Sequence, residues 1–244
     1  MAERNRNNSY SGAIGNLVYR EVGNKQIVQL KPDSIRQTKR TKESGSEFRQ
    51  CSSWSKWLRL RMHSFLEKNV DHYMFSRFAG RFYTVLQTNI DLPKGERTPL
   101  NSDMGALAGF DFNTNSPFAD YFMPGIAATL TDQNEVTVTI PSFNPKVEMQ
   151  FAKGTRYAEL LVYVMTASFE SNTGFTDDYT ILPMQNMAYT LPETVWTSTP
   201  LPEGQLVLVC AKVLYYNTNR FTEKHYVNSK ECSPATIVMV GKVE

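Results

Sequence analysis

Residues 205–216 read QLVLVCAKVLYY, and residues 157–169 read YAELLVYVMTASF. In both runs apolar side chains fill successive positions rather than alternate ones. A strand covered on both faces loses the inward-apolar, outward-polar alternation, so these are long strands suited to a sandwich interior. Val136-Thr137-Val138-Thr139-Ile140 alternates strictly and predicts a half-buried strand. Gly154, Gly174 and Pro202-Glu203-Gly204 mark turns, and residues 235–240 close the series. Seven or so strands over roughly 120 residues predict an immunoglobulin-like antiparallel β-sandwich.

Upstream, residues 93–125 are rich in Gly, Pro, Asn and Asp yet carry Phe110, Phe112, Phe118, Tyr121 and Phe122. That predicts a long ordered loop, because the aromatics must find burial. Phe48, Cys51, Trp54, Leu58, Met62, Phe65 and Leu66 recur at three- and four-residue spacing. They occupy an arc of about 120°, the stripe of a core-facing helix beginning near Ser46. Phe75, Phe78, Ala79, Phe82, Val85 and Leu86 share a face of a second helix, with Arg77 and Arg81 opposite and a break at 69–71. An αα-hairpin is expected over 47–92. Residues 15–30 read as a β-hairpin turning at Gly23-Asn24 and ending at Pro32. Residues 1–14 read as a flexible arm, and 33–46 as a basic loop or weak exposed helix. The expected fold class is α+β in three segments: the arm, hairpin and connector (1–46), the helical hairpin (47–92), and the sandwich with its aromatic-rich loop (93–244).

The chain has 244 residues, 41% hydrophobic and 20% charged, with 29 aromatic side chains. Intrinsic disorder needs low hydrophobicity with high net charge, and neither is present. Uninterrupted apolar stretches reach about six residues, far from a membrane span of about 18 or more. The Asn-rich N-terminus has no apolar segment of the secretory type, so a cytoplasmic location is the default expectation, with a virion-borne or otherwise exported protein as alternatives. Net charge is +2, but residues 1–90 hold 16 Lys/Arg against 7 Asp/Glu, and residues 91–244 hold 10 against 17. Such segregation suggests a basic element that meets an acidic partner: nucleic acid, a membrane surface, or a neighbouring copy of the chain.

Motifs for catalysis are scarce. Cys51, Cys210 and Cys232 have no zinc spacing, and Cys210 inside its apolar run reads as a small buried hydrophobe. A Cys210–Cys232 bridge between neighbouring strands is the alternative. His63, His72 and His225 are not at metal-ligand spacing. No nucleophile elbow or phosphate-binding glycine loop occurs; Gly12 with Gly15 and Gly105 with Gly109 read as turn glycines. Asp111-Phe112-Asn113-Thr114-Asn115 begins like a calcium loop but has Ser116 at the sixth position and Met123 at the twelfth, so turn-forming chemistry is the default. Asp177-Asp178 is the other carboxylate grouping. An enzyme reading rests on Asp103, Asp111 and Asp120, without a nucleophile, base and orienter together. No cofactor, metal or catalytic residue is assigned.

The basic segment carries the alternative function. Arg36, Lys39, Arg40 and Lys42, followed by Arg49, Lys56, Arg59 and Arg61, offer phosphate neutralisation, with Trp54 and Trp57 among them. Trp54 lies on the apolar arc, Glu43, Glu47 and Glu67 dilute the patch, and a solvated or protein-facing surface is the simpler reading. Arg36, Lys39, Arg40, Lys42, Arg49 and Lys56 are the candidate partner or nucleic-acid contacts.

Gly12-x-x-Gly15-Asn16, Leu17-Val18-Tyr19, Gln29-x-x-Pro32 and Thr38-Lys39-x-Thr41-Lys42-x-Ser44 resemble an uncharacterised domain-of-unknown-function family of Bacteroidota. The blocks Gly109-Phe110-Asp111-Phe112-Asn113 to Phe118, Thr139-Ile140-Pro141-Ser142-Phe143 and Tyr226-Val227-Asn228-Ser229-Lys230 extend the resemblance over most of the chain. It implies a bacterial or phage-associated setting and carries no established activity or functional residue. The expectation is therefore a non-enzymatic structural or interaction protein, a self-assembling subunit. Its arm and hairpin would join the next copy by strand addition.

Overall fold

Short β-prone runs joined by tight turns open the chain: β1 (Glu3–Arg4), β2 (Tyr10–Ile14), β3 (Leu17–Val22) and β4 (Lys25–Leu30). They pair antiparallel in the order β1-β2-β3-β4. The computed structural model describes residues 3–4, 10–22, 25–31, 34, 37–169, 175–219 and 223–244. The Gly23-Asn24 turn and Pro32 therefore lie outside the described residues, although the flanking strands pair from Leu17↔Leu30 to Val22↔Lys25. Residues 10–14, expected as part of a flexible arm, are instead a strand, because Gly15-Asn16 makes a second two-residue turn with Gly15 at φ +58°.

α1 (Lys39–Arg61) starts seven residues before the apolar stripe suggests. The Thr38 hydroxyl accepts the Thr41 N–H at 3.2 Å, capping the first turn. Contacts divide the chain into two units, Met1–Lys42 and Glu43–Glu244. The rest of this description concerns the second.

There α2 (His63–Leu66) prolongs α1 past Met62, whose N–H still reaches the Leu58 carbonyl at 2.9 Å. The helix ends where Glu67 and Lys68 take left-handed φ of 51° and 63°. α3 (Met74–Leu86) then returns antiparallel: Phe48 meets Tyr83 edge-on at 5.3 Å, and the Arg59 guanidinium lies 4.1 Å over Phe75 at the other end. Phe48 and Phe75 are thus exposed flank residues rather than core. The buried stripe of α1 instead includes Glu47 and Ser55 beside Cys51 and Leu58. The Glu47 Oε1 accepts the Gly95 N–H at 3.3 Å and faces Arg97 at 3.7 Å, tying the helix to the loop that leaves α3.

After a 3-10 turn (Gly105–Leu107) come α4 (Phe118–Tyr121), β5 (Ala127–Leu130), β6 (Val136–Ile140), α5 (Pro145–Glu148), β7 (Tyr157–Ala167), β8 (Asp177–Gln185), β9 (Thr194–Thr197), β10 (Leu206–Asn217), β11 (His225–Tyr226) and β12 (Ala235–Lys242). One antiparallel sheet has the order β5-β6-β9. In the other, β8, β7 and β10 are neighbours, and β11 and β12 share the far edge of β10.

The two apolar runs that decide the fold are β7 and β10, and their lack of alternation has a structural cause. Val207, Val209, Ala211 and Val213, with Leu160, Val162 and Val164, pack against Val136, Val138 and Ile140 of the small sheet. Leu208, Cys210, Tyr163 and Met165 pack on the other side against Leu58, Phe65, Phe78 and Phe82. The body is mixed α+β, two antiparallel sheets face to face with a helical layer outside the larger one. The helical segment 47–92 shares its core with the large sheet. Phe110, Phe112, Phe118 and Phe122 are buried as expected of the long loop. Its residues 109–112 pair along β12 through Gly109 N–H to Ile237 O and Phe112 N–H to Ala235 O, both 2.8 Å. All three cysteines are free; Cys210 faces the helices and Cys232 the opposite core, so the alternative bridge does not form.

Candidate interaction surfaces

Of the proposed carboxylates, Asp120 is exposed on α4 and the others are occupied by the fold's own hydrogen bonds. Asp103 Oδ1 accepts the Gly105 N–H at 2.8 Å, and Asp111 Oδ1 accepts the Phe118 N–H at 3.0 Å. Asn113 and Asn115 both donate side-chain amide protons to the Lys230 carbonyl, at 3.0 and 3.1 Å. Those amide groups point donors, not oxygen ligands, at their neighbour, so the 111–115 stretch works as a turn. Asp177 accepts the Tyr163 hydroxyl at 3.0 Å, and Asp178 accepts the Thr199 N–H at 2.7 Å. Among the described residues no cluster of His, Cys, Asp and Glu could hold a metal ion. Nor is any described helix long and apolar enough to cross a membrane. His63, His72 and His225 are all exposed.

A shallow cleft of about 310 Å³ lies between residues 109–126 and β12. Asp111 is the only carboxylate among its lining residues, and burial pushes its carboxyl above the ordinary value. Phe118 N–H and Thr236 bond that carboxyl, and no base or nucleophile faces it across the cleft.

The first unit is different, because none of its described residues is buried. Register places Ile14 beside Leu17 and Leu17 beside Leu30, and Tyr19 beside Val28. With Tyr10 two positions before Gly12, which faces Tyr19, these six side chains share one face, with the Glu21–Gln26 pair at its end. Tyr10 and Tyr19 touch at 6.0 Å between rings, while Leu30 is 69% and Val28 50% exposed. The other face carries Ser11, Arg20, Lys25 and Gln29 among its apolar residues. A sheet needs an apolar face packed on something to be stable in water. Four exposed side chains with half-buried Leu17 and Tyr19 between them, over about 400 Å², represent roughly 10 kcal/mol at most of gross burial energy waiting for a cover.

The basic candidates are spread over both units. Arg36 lies outside the described residues. In the first unit Lys39, Arg40 and Lys42 are exposed in the opening turns of α1, which has no acidic residue there. Cations oppose the helix dipole at that end, so the helix itself does not favour them. In the second unit Arg49 and Lys56 are exposed and sit seven residues apart on one side of α1. Arg59 and Arg61 are engaged by aromatic rings, Arg61 at 5.5 Å from both Trp57 and Phe175. Arg77 and Arg81 likewise serve the fold, donating to Asp111 O at 2.9 Å and Ala106 O at 2.7 Å. Trp54 packs on Phe82 and Phe169 and offers no ring to a base. Divided at the unit boundary the charges are smaller but still opposite: Met1–Lys42 holds nine Lys/Arg against three Asp/Glu, and Glu43–Glu244 holds 17 against 21.

Sequence patterns missed the buried charges, Glu47, Asp71, Arg97, Glu159 and Lys212. Asp71 bonds Arg77 and accepts the Thr114 N–H at 3.2 Å; Glu159 bonds Lys224 and accepts the Tyr226 hydroxyl at 2.8 Å. Lys212 and Glu159 left a sequence signal, each as the one charge inside an apolar run. Compared with known proteins, the chain matches no family model and no curated protein.

Proposed function

We propose that the protein is a non-enzymatic structural or interaction protein, a self-assembling subunit whose N-terminal 1–46 segment is the connector, in a bacterial or phage-borne setting. The observation that carries this reading is the first unit's sheet, which presents a contiguous apolar face and buries nothing among its described residues. The opposite net charges of the two units support it, since complementary fields steer copies together. We read the body as immunoglobulin-like. In support, β5, β6, β7, β8, β9, β10 and β12 make seven strands in which the second pairs with the fifth and the third with the sixth. Full-length protein is expected to grow in mass with concentration in light scattering or sedimentation velocity, and a variant lacking residues 1–31 to remain monomeric. A full-length protein that stays monomeric at millimolar concentration rejects the reading.

The exposure of Lys39, Arg40, Lys42, Arg49 and Lys56 favours a second reading, nucleic-acid binding through residues 36–61. It predicts that affinity for duplex DNA falls about tenfold or more between 50 and 200 mM salt, as release of several counterions requires. Charge reversal at Lys39 and Arg40 should flatten that slope. No binding at low salt rules it out.

A further inference from the structure

The helical layer covers only part of the large sheet, and the uncovered part is mostly apolar, apart from the Glu159–Lys224 pair and Gln185 at its end. On the helix side, register aligns Cys210, Tyr163 and Tyr179 in one row and Lys212, Leu161 and Ile181 in the next. Leu214, Glu159 and Pro183 follow, then Tyr216, Tyr157 and Gln185. Burial falls abruptly along each row. Cys210 is fully buried and Tyr163 is 9% exposed, under Phe65, whereas Tyr179 beside it is 60% exposed; Ile181 is 42% exposed. Tyr179, Ile181 and Pro183, with half-buried Leu161 and Tyr157, therefore form a bare strip along β8 and β7. The outer face of the small sheet shows what a solvent-facing surface of this protein looks like. It is lined mainly by Thr129, Thr137, Thr139 and Thr197, with Ala127 and the exposed Val195 beside Thr139, and the Thr137 and Thr197 hydroxyls are 3.2 Å apart.

We infer that this strip is the receiving surface for the apolar face of the first unit's sheet from a second copy of the chain. The inference rests on the assembly reading above and names its partner surface. Three observations select this occupant. Both surfaces are sheet faces of aromatic and branched aliphatic side chains, the type that packs face to face about 10 Å apart. Their lengths agree: residues 179–185 of β8 span about 24 Å, and five- to six-residue strands span about 17–20 Å. The charges are complementary, with six net positive charges on Met1–Lys42 and four net negative on Glu43–Glu244. Pro183 decides the mode. A proline inside a strand belongs to an edge with its missing N–H outward, which interrupts pairing along β8. Docking is therefore face on, in place of the strand addition expected from sequence. Two different surfaces meet, so the contact is heterologous and propagates into rings or filaments. Total burial of about 800 Å² places a single contact at the weak end of specific interfaces, so assembly is concentration-dependent.

Two double variants test it in the full chain by sedimentation velocity: Tyr19→Lys/Val28→Lys on the connector face and Tyr179→Lys/Ile181→Lys on the strip. Each alone is expected to raise the concentration for association at least tenfold. Mixed in equal amounts, they should form heterodimers and nothing larger, because each keeps the surface the other lacks. If the strip variant assembles like the unmodified chain while the connector variant does not, the receiving surface is elsewhere and only the assembly reading survives. If both assemble unchanged, both fail. If each variant is monomeric and the mixture stays monomeric as well, the two faces do not complement each other and the inference falls. Circular-dichroism melting verifies folding, and the milder Tyr179→Ser/Ile181→Thr pair replaces the lysines if they disturb it.

Discussion

Replacing Lys212 by alanine is expected to lower the stability of the second unit by about 3–5 kcal/mol, and replacing it by methionine by no more than about 1–2. Lys212 sits in the middle of β10, between Leu161 and Ala235 on the helix side, and is 1% exposed. Its ammonium donates to the Phe65 carbonyl at 2.7 Å and to Glu67 at 2.8 Å, and lies 5.9 Å from the Phe65 ring. The Phe65 carbonyl belongs to the last turn of the continuous α1–α2 helix, which Glu67 and Lys68 terminate in left-handed conformation. Carbonyls there have no intrahelical partner and favour a cation. The lysine thus joins sheet to helical layer at the point where the chain turns toward α3. Either variant leaves that carbonyl without its cation; alanine also empties the volume of the stem, which methionine refills. Glu67, whose side chain is 52% exposed, returns to water at little cost. Urea midpoints of the two variants decide the matter. Equal and small losses would show that the ammonium does not organise this junction.

How much of this was legible in sequence depends on where each side chain's partner lies. The unbroken apolar patterns of β7 and β10 state correctly that both faces are covered, and the aromatics of 93–125 state that the loop is ordered. Neither states what does the covering. Helices and β-region share one core through contacts such as Phe65 on Tyr163 and Phe78 on Phe110, far apart in the chain. Glu47 and Ser55 sit on the buried stripe of α1 against their residue type, because the groups that face the Glu47 Oε1 come from Gly95 and Arg97. Thr38 begins α1 through a cap that hydropathy periodicity cannot register. β2, YSGAI, was hidden for a related reason: Gly12 and Ala13 weaken the alternation, and its role emerges only once Gly15-Asn16 folds it against β3. The basic candidates were visible as a run, but composition could not separate Arg59, Arg77 and Arg81, which bind rings and carbonyls inside the body, from the exposed Arg49 and Lys56. The connector face was legible only in part, since six side chains share a side only when the register of three strands is known.

The second unit is expected to hold its stability from pH 7 to about 8.5 and to unfold steeply between about pH 9 and 12. Burial pushes the Cys51 thiol up from its ordinary value of 9.0 to about 12, and the Glu47 carboxylate adds to the shift. Burial likewise raises Cys210, Tyr163 and Tyr215, with Asp177 adding to the rise at Tyr163. All of these fold in their neutral forms. In the unfolded chain they ionise near their ordinary values, so between those values and the raised ones the folded state holds more protons. Stability from such groups is complete below the unfolded value and disappears as pH rises toward the folded one. Cys51, fully buried, accounts for roughly 4 kcal/mol of the loss at about 1.4 per pH unit, and the buried tyrosines add to it. Lys212 runs the other way: burial lowers its value against the pull of Glu67, so its contribution rises with pH below the ordinary lysine value. One lysine opposes several buried acids, against a typical domain stability of about 5–15 kcal/mol, so the acids prevail. The part of the tyrosinate absorbance that comes from buried Tyr163 and Tyr215 should appear in a step coincident with the loss of circular dichroism, rather than before it. Cys51→Ala provides the sharper comparison, being less stable at pH 7 but losing stability less steeply above pH 9, so that its curve converges on that of the unmodified chain. Parallel curves would show that the Cys51 thiol does not set the alkaline limit.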